Sequence, residues 1–142
     1  MIRDGATVAY GNLNYEMKDS VMKNGNFFEP MVLENIDTDS PSWTEEFFGP
    51  VFNIFKATSQ KNALDLANKS DYGLSAAVFT QNEEKLEHAA HRLRVGTVFL
   101  NEMSTSGSDF PGGGIKGSGF GRECYIDGLV EMANRKPIIR GS

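Results

Sequence analysis

The sequence predicts an α/β fold in which a mainly parallel sheet is covered by helices in three layers. Three observations carry that expectation. Between Val51 and Asn101, strand-like and helix-like segments alternate as β-α-β-α-β with short connections, which closes a parallel sheet through right-handed crossovers. The run "GLSAAVFT" (Gly73–Thr80) is almost continuously apolar, as expected of a strand covered on both faces. Leu86, Ala89, Ala90 and Leu93 recur at i, i+3, i+4 and i+7, the single buried stripe of an amphipathic helix.

The elements follow in order. "ATVAYG" (Ala6–Gly11) and "FFEPMVLENI" (Phe27–Ile36) are rich in β-formers and read as strands. The polar segment Asn12–Asn26 reads as a surface loop, with turn chemistry in "KNGN" (Lys23–Asn26). "DTDSPSWTEEFFGP" mixes caps and acidic residues with Pro41, which suits a short helical turn stopped at Gly49–Pro50. "VFNIFKA" (Val51–Ala57) is a strand, "SQKNALDLANKS" (Ser59–Ser70) a helix, and Gly73–Thr80 the next strand. Thr80 and Glu83 make a T-x-x-E capping box for the second helix, and "VGTVFLN" (Val95–Asn101) is the third strand of the unit. A last helix, roughly Glu123–Asn134, carries Tyr125, Leu129 and Met132 on one side. The chain closes with "RKPIIRGS", a short strand whose Pro137 suits an edge.

Composition narrows the function. With 142 residues, 39% hydrophobic and 23% charged, the chain reads as one soluble domain. A net charge of −5 argues against nucleic acid, whose phosphates need clustered Lys and Arg. No apolar run is long enough to cross a membrane, and "MIRDGATVAYG" lacks a signal peptide's apolar core. The single cysteine, Cys124, permits no internal disulfide, so a reducing, cytoplasmic location is expected.

The stretch "SDFPGGGIKGSGFGRE" (Ser108–Glu123) contains G-x-G-x-x-G at Gly112, Gly114 and Gly117. A dinucleotide fingerprint would start directly after a strand and open straight into a helix. Here ten residues separate Asn101 from Gly112, and the helix starts only after Gly121. A P-loop would need a lysine where Ser118 stands. The glycines therefore read as turn formers. A loop following Asn101 nonetheless lies outside the carboxyl ends of the strands, where α/β sheets gather ligands, and would line a substrate passage there.

Cys124 is the obvious candidate nucleophile, in the first turn of the last helix. No histidine lies near it in sequence, and a small buried thiol is the plainer reading. His88 and His91 form H-x-x-H with Glu84 on the same face, but that face is the solvated one, so no metal site is expected. Phe48, taken alone, reads as a core aromatic. No complete catalytic set emerges.

Four motifs in order, "EEFFGPV" (Glu45–Val51), "NKSDYGLSAAVFT" (Asn68–Thr80), "GTVFLN" (Gly96–Asn101) and "PGGGIKGSGFGRE" (Pro111–Glu123), resemble the C-terminal part of an NAD(P)-dependent aldehyde dehydrogenase. The resemblance spans essentially the whole chain, and "FLNE" with "SGFGRE" is most similar to the succinate-semialdehyde branch. It implies the α/β catalytic-domain fold over residues 1–133, with 134–142 as an oligomerisation strand and tail joining a neighbouring subunit's sheet through "PIIR". It implies that Glu46 binds the nicotinamide-ribose hydroxyls of NAD or NADP and that Phe48 packs beside the nicotinamide. It also implies that Ser104–Pro111 forms the wall of a tunnel for a small aldehyde. Ser106 then lies close to the substrate's distal carboxylate, with Phe110 and Gly112 in the same wall. Gly112 stands where the family's P-[FW]-G-G pattern has a bulky residue, which implies a wider tunnel. In the family, a cysteine thiolate attacks the aldehyde, hydride passes to the nicotinamide, and a glutamate-activated water releases the acid. The resemblance places that cysteine, that glutamate and the cofactor-phosphate site upstream of the matched motifs. This chain alone is then expected to be an inactive fragment. The competing expectation is a non-catalytic α/β oligomerisation module.

Overall fold

The computed structural model describes residues 1–16, 18 and 24–142. Lys23, and with it part of the expected Asn12–Asn26 loop, lies outside the described residues. Where length suggested one domain, the contacts divide the chain into two units, Met1–Thr58 and Ser59–Ser142.

In the first unit, β1 (Thr7–Tyr10) runs antiparallel to β2 (Met31–Glu34), and β2 runs parallel to β3 (Val51–Asn53). The core is small: Ala6, Met31 and Leu33 are buried, the last two alternating along β2 so that both face inward. The expected helical turn is present as a single 3₁₀ turn, Pro41–Thr44, capped by Ser40, whose hydroxyl accepts from the Ser42 amide at 3.2 Å. Trp43 in that turn packs edge-on against Phe55, with ring centroids 4.5 Å apart.

Asp4 ties the amino terminus of this unit to its 3₁₀ turn. Its Oδ2 accepts from Ser40 Oγ at 2.6 Å and from Ser42 Oγ at 3.0 Å, and lies 3.3 Å from the Met1 amino group. These hydroxyls, Ser40 foremost, hold the carboxyl below its ordinary value of 3.8. A folded pKa below the unfolded one means that the stabilisation is present above the unfolded value and is lost as pH falls through the folded value. Thermal melting followed across acid pH should therefore drop below pH 3.8. Asp4→Asn should remove that part of the dependence, and an unchanged profile in the variant would rule out the linkage.

The second unit contains α1 (Gln60–Lys69), β4 (Tyr72–Gly73), β5 (Ser75–Val78), α2 (Glu83–Arg92), β6 (Thr97–Leu100), β7 (Ile115–Lys116) and α3 (Tyr125–Glu131). Ser59 caps α1, accepting from the Asn62 amide at 3.1 Å. β5 and β6 pair in parallel through the α2 crossover, with Ser75 opposite Thr97 and Val78 opposite Leu100. The α2 stripe packs as expected: Leu86 and Ala89 are buried, and Ala90 and Leu93 half-buried. Asn68 joins the two helices. Its amide donates to the Arg92 carbonyl at 2.8 Å and its oxygen accepts from the Arg94 amide at 2.7 Å.

Several expectations are corrected. The described strands form three sheets, β1-β2-β3, β4-β7 and β5-β6, and β3 pairs with β2 rather than continuing the β5-β6 ladder. Asn82, not Thr80, caps α2, accepting from the Lys85 amide at 2.9 Å, while Thr80 instead accepts from the Asn82 amide. The box fails because Glu83 is already the first helical residue. The last helix is short, and its apolar residues Tyr125, Leu129 and Met132 are exposed. Residues 134–142 form no strand within the chain. Pro137 removes one donor there, and no strand among the described residues pairs with the segment. No helix of the described residues is long and apolar enough to cross a membrane.

Candidate functional site

The glycine-rich segment is a closed loop. Gly112 and Glu123 exchange both backbone hydrogen bonds at 2.9 Å, pinning its two ends side by side. Gly113, Gly119 and Gly121 inside it have positive φ, which explains glycine at those positions without phosphate. Ile115 and Lys116 form β7 against β4, a strand too short for sequence patterning to reveal.

Ahead of this loop, the segment after β6 was expected to lie beyond the carboxyl ends of the strands. It folds back instead along the sheet. Ser104 Oγ reaches Ser75 Oγ, at the amino end of β5, at 2.7 Å. The turn is made at Asn101, which has φ +53° and whose side-chain amide pairs with both backbone groups of Thr80, at 2.9 and 3.0 Å.

The fold-back lines a half-open cavity of about 390 Å³. Ser75 from β5 and Thr97 and Phe99 from β6 form its floor, the latter two pointing the same way by strand alternation. Ser104, Thr105, Ser106, Gly107 and Phe110 form one wall, and Gly112, Gly113, Glu123 and Cys124 another. Phe99 and Phe110 meet edge-on, with centroids 6.0 Å apart. The structure thus brings Ser106, Phe110 and Gly112 together in one cavity. At Gly112, an added Cβ would meet nothing closer than Glu123 Cγ at 3.8 Å, so the missing side chain leaves space there.

Glu46 and Phe48 belong to the other unit. Phe48 is not core: it is 93% exposed, on backbone with φ +46°. A bulky residue in that conformation costs on the order of 1–3 kcal/mol, which marks the position as unusual for purely structural reasons. Glu46 is exposed, and its carboxylate makes no hydrogen bond or ion pair among the described residues. Both of its acceptor oxygens are open to a vicinal diol.

Cys124 is neither buried nor within a helix turn. It is exposed, with φ +62°, immediately before α3, and it lines the cavity. His88 and His91 are exposed on α2, and among the described residues no three His, Cys, Asp or Glu side chains gather to hold a metal. Sequence reasoning missed Ser75, Thr97 and Phe99 as cavity floor. The alternation of Thr97 and Phe99 was available as a signal, but nothing local indicated which face the returning loop would cover.

The sequence matches the profile described as "Aldehyde dehydrogenase family" over residues 1–138. It is 38% identical over 135 residues to a succinate-semialdehyde dehydrogenase [NADP(+)] of Deinococcus radiodurans, covering 95% of this chain and 27% of that protein. It is also 38% identical over 141 residues to betaine aldehyde dehydrogenase of Bacillus subtilis, covering 99% of this chain and 28% of that one. The crystal structure of Staphylococcus aureus betaine aldehyde dehydrogenase in complex with NAD+ superposes with a TM-score of 0.83 at 39% identity, over 92% of this chain and 25% of that one. The chain thus spans about a quarter of the length of the relatives it matches. With the profile covering nearly every residue, the chain belongs to the aldehyde dehydrogenase family.

Proposed function

We propose that this chain supplies part of an NAD(P)-dependent enzyme that oxidises an aldehyde to a carboxylic acid, and that it corresponds to the C-terminal portion of the catalytic domain. The observation that carries the reading is the convergence on one cavity of Ser106, Phe110 and Gly112, the residues that the family resemblance assigns to a substrate tunnel. Glu46 and Phe48 fit the cofactor contact: a carboxylate with both oxygens open suits the nicotinamide-ribose hydroxyls, and an exposed ring suits packing beside a planar base. The nicotinamide, when bound, supplies the hydride acceptor; the residues named here bind and orient. Residues 134–142 serve assembly with further copies, an extended tail with Ile138 and Ile139 at 89% and 91% exposure. A cytoplasmic location accords with the single cysteine.

Succinic semialdehyde is the proposed substrate, with the Ser106 hydroxyl donating to its distal carboxylate. A second reading has its own support. Glu123 lines the cavity and no Lys, Arg or His does so among the described residues, while Phe99 and Phe110 offer ring faces. That lining favours an aldehyde bearing a cationic headgroup. Titrating the chain with succinate and with glycine betaine, while following the Ser106 and Phe110 amide signals, separates the two. Binding of neither product would overturn the pocket assignment.

The chain alone is proposed to lack the nucleophile and base of the reaction. Incubated with NAD+ or NADP+ and either aldehyde, it should form no NAD(P)H. Turnover that disappears in Cys124→Ser would show instead that Cys124 is the nucleophile, and the fragment reading would fall.

A further inference from the structure

The glycine-rich loop that forms one cavity wall is anchored on its far side by a single cation. Lys116 sits in β7 with φ +55° and directs its ammonium at three carbonyl oxygens, that of Asn68 in the last turn of α1 at 3.2 Å and those of Ser70 and Tyr72 just beyond it at 3.0 and 3.4 Å. Carbonyls at the carboxyl end of a helix lack intrahelical partners and carry the negative end of the dipole, so a cation is favoured there. The three N–H groups of an ammonium match three acceptors. The same turn is held from the loop by Gly117, whose amide donates to the Asp71 carbonyl at 2.8 Å, and by Ser118 Oγ, which accepts from the Gly73 amide at 2.9 Å.

The β4–β7 pairing spans only two residues on each strand. Such a ladder sets register weakly, and a lysine persists at positive φ only where its surroundings over-determine it. Lys116 itself does not line the cavity. The residues at the loop's two joined ends do: Gly112 and Glu123, locked to each other, with Gly113 and Cys124 beside them.

We propose that Lys116 is a positioning residue, clamping the glycine-rich loop to the carboxyl end of α1 and thereby setting the cavity wall at Gly112, Gly113 and Cys124. The consequence for binding rests on the aldehyde-pocket reading above. The test compares the full chain with Lys116→Met, which keeps the stem and loses the donors, and Lys116→Arg, which keeps a charged donor. Amide exchange at Gly112, Gly117 and Glu123 should quicken roughly tenfold in Lys116→Met, while that at Leu86 and Ala89 in α2 stays unchanged. The affinity for butyramide, an unreactive stand-in for a small aldehyde, should weaken roughly tenfold in the same variant and recover substantially in Lys116→Arg. Unchanged exchange and affinity in Lys116→Met, or an arginine variant as impaired as the methionine one, would overturn the proposal. If the wild-type chain fails to bind butyramide while exchange still quickens, the clamp stands and the pocket reading falls. Should Lys116→Met not fold, the wild-type ammonium decides: its hydrogens should exchange with water far more slowly than those of a free lysine, and exchange as fast as free lysine would overturn the clamp.

Discussion

Gly96→Ala is expected to destabilise the Ser59–Ser142 unit by about 3 kcal/mol, at the upper end for overpacking. A Cβ at Gly96 would overlap the Gly113 carbonyl oxygen and lie 3.1 Å from that of Leu74. Both obstacles are backbone, so neither can swing aside as a flexible side chain would. The Gly96 amide also donates to the Gly73 carbonyl at 3.0 Å, so the chain cannot retreat without breaking that bond. Urea unfolding of the variant measures the effect. Gly112→Ala is the control: its Cβ meets only the Glu123 side chain, at an ordinary contact of 3.8 Å, and its cost should stay below about 1 kcal/mol. Equal losses in the two variants would show that the Gly96–Gly113 approach is not the cause.

Asn68→Ala should cost about 2 kcal/mol, because the side chain bonds both a carbonyl and an amide where α2 passes into β6, and both would lose their partner. The effect should be local. Exchange at the Arg94 amide should rise sharply, while the first turn of α2, capped by Asn82, keeps its protection. Asn68→Asp retains an acceptor for the Arg94 amide but turns a negative oxygen toward the Arg92 carbonyl, so it should not rescue the loss. A variant as stable as the wild type would mean that the two bonds add nothing over water.

Much of the fold was legible because it is written in local patterns. The 3.6-residue spacing of Leu86, Ala89 and Ala90 and the apolar run through Val78 placed α2 and β5 correctly. What failed depended on choices made at a distance. Thr80 and Asn82 are both competent caps, and one residue's difference in where the helix starts decides between them. β7 is two residues held by Gly73 and Tyr72, more than forty positions away, so no window of local sequence contains its cause. Phe48 reads as core by residue type and is exposed, on a left-handed backbone that its sequence does not signal.

The site was legible unevenly. Ser106, Phe110 and Gly112 followed from motif resemblance, and their convergence is geometric. Cys124 stands outside the helix because α3 starts at Tyr125, two residues after the expected Glu123, which leaves the thiol exposed at the N-cap. Lys116, between Ile115 and Gly117, belongs to no periodic pattern, so the sequence carries no signal for its role.

The paired hydrogen bonds between Gly112 and Glu123 have a practical corollary for protein engineering. A segment whose ends are already held together adds little closure entropy when its interior changes length, since that cost grows only logarithmically. The tip around Gly119 and the fully exposed Phe120 is therefore a natural graft point, a socket that accepts foreign peptide without disturbing the frame. A metal-binding or fluorescent insert placed there would be linked to the cavity wall through the paired Gly112–Glu123 base. Such a chain would become a reporter of its own pocket.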